Sequence, residues 1–320
     1  MYNSKITLRK VRDFGTNVSV SIDFIKENFS SFIKSLAFIA GPFILISSIL
    51  SGIFMSEFMG MIMNQSAYAG GGTDPFSTIF SDKFSTYMLN GVLIQFIGLI
   101  AVIAVTYRYL LLYPEHGNNI SFELVWKNVK KDFIPVALGQ ILSILIIGTC
   151  LLVLFGLVAA IGFFNGGWFI GMMAFFAFIY LIIPCSLIFI IQLAEKVNPL
   201  IAIQRAFSLI RGNWLSTFGI LMVSSIIMYL INIIFYIPMY IVNFVTTINT
   251  LDPTSTVNSE YMQLMTLTTT VLGSVGLFFA LPVFYLSLGF QYFSIVEKKE
   301  HIGLIERIEL IGTKEDDYYL

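Results

Sequence analysis

Residues 133–164 read FIPVALGQILSILIIGTCLLVLFGLVAAIGFF, thirty-two positions without an Asp, Glu, Lys or Arg. Asn165-Gly166-Gly167 follows, and then WFIGMMAFFAFIYLIIPCSLIFIIQ over 168–192, again without a charge. About 20 apolar residues suffice to cross the hydrocarbon of a bilayer. Hydrocarbon offers no partner to a peptide group, so such a run must bond internally as a helix. Two runs joined by a three-residue polar reversal therefore predict a transmembrane helical hairpin.

The rest of the chain repeats this pattern. Further apolar runs occupy Phe32–Phe58, Tyr87–Tyr113, Trp214–Val245 and Met262–Val296, which makes six spans in three hairpins. Composition agrees: 57% of the 320 residues are hydrophobic and only 12% charged, against about 25% charged in soluble domains, and the mean hydropathy is +0.85. The expected fold class is all-α integral membrane. A cytoplasmic N-terminus with an amphipathic helix would fill residues 1–31, the six-span domain 32–296 and a cytoplasmic tail 297–320. The first apolar run is too long for a cleaved signal peptide and is expected to be a retained span. The net charge of −1 gives no global field for nucleic acid. Cys150 and Cys185 fall at different depths of their spans, which argues against a bridge between them.

Orientation follows from the cations. Of the 18 Lys and Arg, all but Lys83 fall on one side of the six spans. Such segregation marks the cytoplasmic side. It predicts a multi-pass protein of a bacterial cytoplasmic (inner) membrane with both termini inside. The outer connections hold Gly70-Gly71-Gly72-Thr73-Asp74-Pro75 and Asp252-Pro253, turn-forming stretches.

Each odd-numbered span follows a charged amphipathic stretch. Val18, Ile22, Ile25, Phe29 and Phe32 recur at helical spacing before the first. Ser121 is placed to cap a helix carrying Leu124, Val125 and Val129 before the third. Asn198 caps and Pro199 takes the first helical position before the fifth, with Leu200, Ile203, Phe207, Ile210 and Trp214 as a stripe. Lys26-Glu27-Asn28-Phe29, Lys127-Asn128-Val129 and Arg211-Gly212-Asn213-Trp214 occupy matching places, as do Pro184 with Gln192 and Pro282 with Gln291. This reads as a threefold repeat of interfacial helix plus hairpin. Glu297–Gly312 is a candidate for one more amphipathic helix, with Leu304, Ile305, Ile308 and Ile311.

An interfacial helix buries one face in the acyl boundary and keeps its cations among headgroups. Lys127, Lys130, Lys131, Arg205, Arg211 and Trp214 are therefore the candidates for contact with lipid or with protein partners. Within the spans, Gln95, Arg108, Gln140, Gln192, Asn232 and Gln291 are the candidates for a polar pathway. Every acidic residue is assigned to a loop, tail or span end, which argues against a proton- or sodium-coupled pump. His116 and His301 are the only histidines, no metal-ligand or nucleophile motif occurs, and nothing calls for a cofactor or a metal.

Residues 198–219, NPLIAIQRAFSLIRGNWLSTFG, combine a short helix with an Arg-x-Phe-Ser-Leu core, then Arg-Gly-Asn-Trp, then Phe-Gly opening a span. This pattern resembles the membrane domain of the glycerophosphoryl diester phosphodiesterase type and related six-span bacterial proteins. The opening Leu8–Gly15 and the tail Gly303–Ile308 are similar to members from Bacteroidetes-type bacteria. In the family's enzymes a separate soluble barrel supplies the phosphodiesterase chemistry, and this chain leaves no stretch for one. The resemblance thus implies a membrane module and not a hydrolase. The leading expectation is a non-catalytic scaffold or accessory module whose partners are membrane lipids and proteins. The alternative is a transporter or channel for a small or lipidic solute, and an intramembrane enzyme comes third. Oligomeric state is open.

Overall fold

The computed structural model describes residues 6–67, 82–162, 167–251, 259–303 and 305, and every regular element among them is an α-helix. The helices are α1 (Phe14–Ile39), α2 (Gly41–Ala67), α3 (Asp82–His116), α4 (Phe122–Ile161), α5 (Gly167–Glu195), α6 (Pro199–Ile210), α7 (Trp214–Leu251) and α8 (Ser259–Glu300). Six of them hold stretches long and apolar enough to cross a membrane: Gly41–Phe58, Ser85–His116, Phe122–Ile161, Gly167–Glu195, Trp214–Ile241 and Gln263–Glu300. The protein is an all-α membrane protein of six spans, as its sequence pattern requires. The glycine-rich stretch at 70–75, Asn165-Gly166, Asp252-Pro253, and Leu304, Ile308 and Ile311 of the tail lie outside the described residues.

Local chemistry sets the helix starts. Asp13 caps α1, its carboxylate accepting from the Thr16 amide at 3.1 Å while its carbonyl accepts from the Asn17 amide. Ser121 caps α4, accepting from the Leu124 amide at 3.3 Å. Asn198 caps α6, accepting from the Ile201 amide at 2.9 Å, with Pro199 in the first turn. All three satisfy amides that the first helical turn leaves without partners.

Two boundaries differ from the sequence pattern. The expected span from Phe32 is in fact the end of α1, a turn at Ala40, and then α2 from Gly41. Pro42 has no N–H to offer the carbonyl four residues back, so the chain restarts there although its hydrophobicity does not change. Conversely, the amphipathic stretch at 122–132 and the third span are one continuous 40-residue helix, with Pro135 inside it.

The faces also differ. In α1 the buried positions are Asn17, Val18, Ser21, Phe24, Asn28, Phe32, Ser35, Leu36 and Ile39, while Phe29 of the expected stripe is exposed. In α6 the buried positions are Ala202, Ala206, Leu209 and Ile210, and Leu200 and Phe207 are exposed. Lipid removes the penalty for exposing large apolar groups, so small and polar residues take the protein-facing side. Ser21, Asn28 and Ser35 donate to the carbonyls of Asn17, Phe24 and Ser31, four residues back in each case.

The chain forms two compact units. The first comprises Met1–Ser35, Ile103–Ser225 and Val283–Leu320. Phe24 is its aromatic centre, edge-on to Tyr113 at 4.9 Å, Phe290 at 5.9 Å and Tyr109 at 6.1 Å. Here α4 packs along α5, and α5 along α6. The second unit comprises Leu36–Val102 and Ile226–Pro282. Its helices approach closely at glycines: a Cβ on Gly98 would lie 2.8 Å from Ile44, and one on Gly276 2.6 Å from the Phe235 ring.

The three asparagines of the expected repeat lie in the first unit. Asn28, Asn128 and Asn213, at matching places, each donate a side-chain N–H to the carbonyl four residues upstream, of Phe24, Leu124 and Leu209. The first and third also accept from the far end of their own hairpin: Tyr109 donates to Asn28, and Lys298 to Asn213 at 3.1 Å.

Two predictions follow from these joints. Gly212 has φ +84°, a conformation that costs a residue with a Cβ about 1–2 kcal/mol. Gly212→Ala should therefore lower the thermal midpoint in detergent, and Gly212→Asn should lower it less. The hydrogen bond from the Thr16 hydroxyl, followed by that from its amide, holds the Asp13 carboxyl below the usual carboxylate range. With the folded-state pKa depressed, the cap contributes fully above the ordinary Asp pKa and fades only as pH falls through the lowered one. Amide protection at Thr16 should thus persist at pH 4 and disappear in Asp13→Ala at every pH.

Candidate functional site at the basic helix ends

Arg108, near the end of α3, and Asp132, in α4, form a two-pronged ion pair through the guanidinium Nε and a terminal nitrogen. The side chains are only 17% and 9% exposed. A charge so placed must be matched, because an isolated one would be extremely costly away from water. Asp132 stands at a span end, immediately before the apolar run from Phe133, and Arg108 is the reason its burial there is tolerated.

Three residues further along α4, the Pro135 carbonyl accepts from the Gln192 amide of α5 at 3.0 Å. Gly139 allows this contact, since a Cβ there would sit 2.1 Å from Gln192 Oε1. One turn beyond Gln192, Glu195 accepts from Arg205 Nε at 3.0 and 3.2 Å and from the Tyr292 hydroxyl at 3.0 Å. Arg205 also holds Glu300 through a terminal nitrogen. One guanidinium thereby ties α5, α6 and α8 together. Burial acts to lower the Arg205 pKa, but the hydrogen bonds to Glu300 and Glu195 outweigh it, and the net shift is upward.

The remaining polar groups are engaged similarly. Gln291 accepts from Asn17 at 2.7 Å and donates to Ser216 and Thr217 at 3.3 Å each. Lys299 donates to the carbonyls of Ser208 and Arg211 at 2.7 and 2.9 Å, where a cation suits the end of α6. Arg12 lies over the Phe290 ring at 5.2 Å, and burial lowers its pKa.

The candidate residues separate accordingly. Lys127, Lys130, Lys131 and Arg211 are exposed. Arg205 is committed to two carboxylates. Trp214 stacks with Phe218 at 5.4 Å and Tyr180 at 6.2 Å. Of the pathway candidates, Arg108, Gln192 and Gln291 are tied to neighbouring helices as described. Gln95 accepts from Ser47 at 2.8 Å in the second unit. Asn232 Oδ1 is buried without a partner among the described residues, and Gln140 lines a cavity in the first unit. The six do not gather in one site. Asp132, Glu195, Glu300 and Tyr292 were not anticipated, although Arg108 standing alone in an apolar run signals a hidden counter-charge.

Helical spans, buried charge pairing and exposed basic ends define a polytopic α-helical membrane protein. No known family matches the chain, and neither does any curated protein or solved structure.

Replacing Arg205 should leave Glu195 and Glu300 facing each other unneutralised. Arg205→Met is expected to destabilise the protein in detergent by about 1–3 kcal/mol. Arg205→Lys should fall between it and the parent, since a single ammonium cannot serve both carboxylates with a planar fork. Thermal unfolding followed by circular dichroism measures both.

Proposed function

We propose that this chain is a non-catalytic protein of a bacterial cytoplasmic membrane, with both termini in the cytoplasm, acting as a scaffold or accessory module that holds anionic lipid at its basic end. One contrast carries the reading. Arg108 and Arg205 are paired with carboxylates, and Lys298 and Lys299, though exposed, donate to Asn213 and to the Ser208 carbonyl, whereas Lys127, Lys130 and Lys131 stand exposed together on α4. Trp126 beside them is 40% exposed, and the Lys130 ammonium lies 4.6 Å from its ring centroid. Trp favours the headgroup level, and each Lys near an anionic leaflet contributes about 1 kcal/mol.

Leu200 and Phe207, exposed on α6, would enter the acyl boundary beside Arg211. Protein partners with an acidic face would be drawn to the same surface. The motif at 198–219 fits this reading as a structural joint. Its Asn198, Arg205, Gly212 and Asn213 are occupied in capping, pairing and turning the chain, the work a membrane module of the diester phosphodiesterase type would need from them.

The test uses Trp126 as the sole reporter, with Trp168 and Trp214 replaced by Phe, in proteoliposomes containing brominated lipids. Brominated phosphatidylglycerol should quench Trp126 with at least about fivefold preference over brominated phosphatidylcholine, following the per-lysine contribution above. Changing Lys127, Lys130 and Lys131 together to Gln should bring the preference close to one. Equal quenching by both lipids in the parent would refute lipid engagement at this surface.

A further inference from the structure

We infer that the cavity in the first unit is a binding site for a neutral, largely hydrocarbon lipid that carries one hydrogen-bonding oxygen, such as a long-chain alcohol, ketone or ester. This is separate from the headgroup surface just described. The cavity has a volume of about 560 Å³ and is walled by α4, α5, α7 and α8, within the range of small-molecule sites. Among the described residues no Asp, Glu, Lys, Arg or His lines it, so a charged ligand group would enter without a counter-charge and is disfavoured.

The wall is otherwise apolar, with Phe175, Phe189 and Met222 among its members. Its polar groups divide in two. The Ser143 and Ser186 hydroxyls are already spent on the carbonyls of Gly139 and Ile183, at 2.9 and 2.7 Å. Gln140, Ser225 and Tyr285 have no hydrogen-bond partner among the described residues. Tyr285 is only 8% exposed. In hydrocarbon a phenol with nothing to donate to is costly, and water is scarce. A ligand oxygen accepting from Tyr285 would remove that cost.

Depth narrows the class. Gln140 lies eight positions beyond Asp132, roughly 12 Å along α4, and Tyr285 lies twelve before Glu297, roughly 18 Å along α8. The ester groups of an ordinary bilayer phospholipid sit near the headgroups, whereas an oxygen at this depth belongs to a lipid with a small neutral head.

The experiment uses the full chain in detergent, with radiolabelled hexadecanol as probe and hexadecane as its match without oxygen. Hexadecanol should be retained saturably at one per chain, with hexadecane about tenfold weaker, as expected for one hydrogen bond made away from water. Tyr285→Phe, which keeps the shape of the wall, should reduce that difference to threefold or less. Ser225→Phe, verified as folded by circular dichroism and monodisperse elution, should abolish saturable retention of both. Non-saturable partitioning, identical in the parent and both variants, would overturn the proposal. Mass spectrometry of lipids extracted from the purified protein distinguishes the sources. Enrichment of a neutral oxygen-bearing lipid over the membrane average supports a dedicated ligand. Phospholipid alone, at its bulk ratio, means that the cavity merely admits bilayer chains and contradicts the inference.

Discussion

A polar group surrounded by hydrocarbon has only the protein to bond with, and the first unit is arranged around that constraint. Arg108 with Asp132, Arg205 with Glu195 and Glu300, Gln192 with the Pro135 carbonyl, and Gln291 with Asn17 and Thr217 each join separate helices. Van der Waals packing between helices gains little from the hydrophobic effect when lipid is the alternative. These bonds therefore carry specificity that a water-soluble core would obtain from burial, and they determine which helix meets which.

The same constraint explains what could be read from the sequence. Span number, the all-α class and the caps at Ser121 and Asn198 depend on local chemistry, and local chemistry is visible in one dimension. Helix faces were legible only in part. Apolar stripes such as Ile22–Phe29 suggest a buried side to an eye trained on soluble proteins, yet Phe29, Leu200 and Phe207 are exposed and Asn17, Ser21 and Ala206 are buried. The break at Ala40 was hidden because apolar residues continue across it, and only Pro42 hinted at it.

The candidate site was less legible than the fold. Arg108 and Asp132 are 24 positions apart, and Arg205 and Glu300 are 95 apart. No periodicity links such pairs, and an acid at the edge of an apolar run looks the same whether it faces water or a guanidinium. The matching Asn28, Asn128 and Asn213 were detectable as a repeat, but their shared bond to the carbonyl four residues back is a structural fact. By contrast, Lys127, Lys130 and Lys131 remain on the surface where their spacing put them. The polar side chains not consumed by helix pairing, the exposed lysines and the unpartnered groups of the cavity, are then the ones left to meet something outside the chain.

That polar pairing holds these helices together is tested most directly by a double-mutant cycle on Arg108 and Asp132. Arg108→Met and Asp132→Leu, each alone, strand a buried charge and should cost about 3–5 kcal/mol of stability in detergent. The double variant should recover most of that loss, because neither charge is left unmatched. Losses that simply add in the double variant would mean that the two side chains act independently, and the account of the interior given above would be wrong.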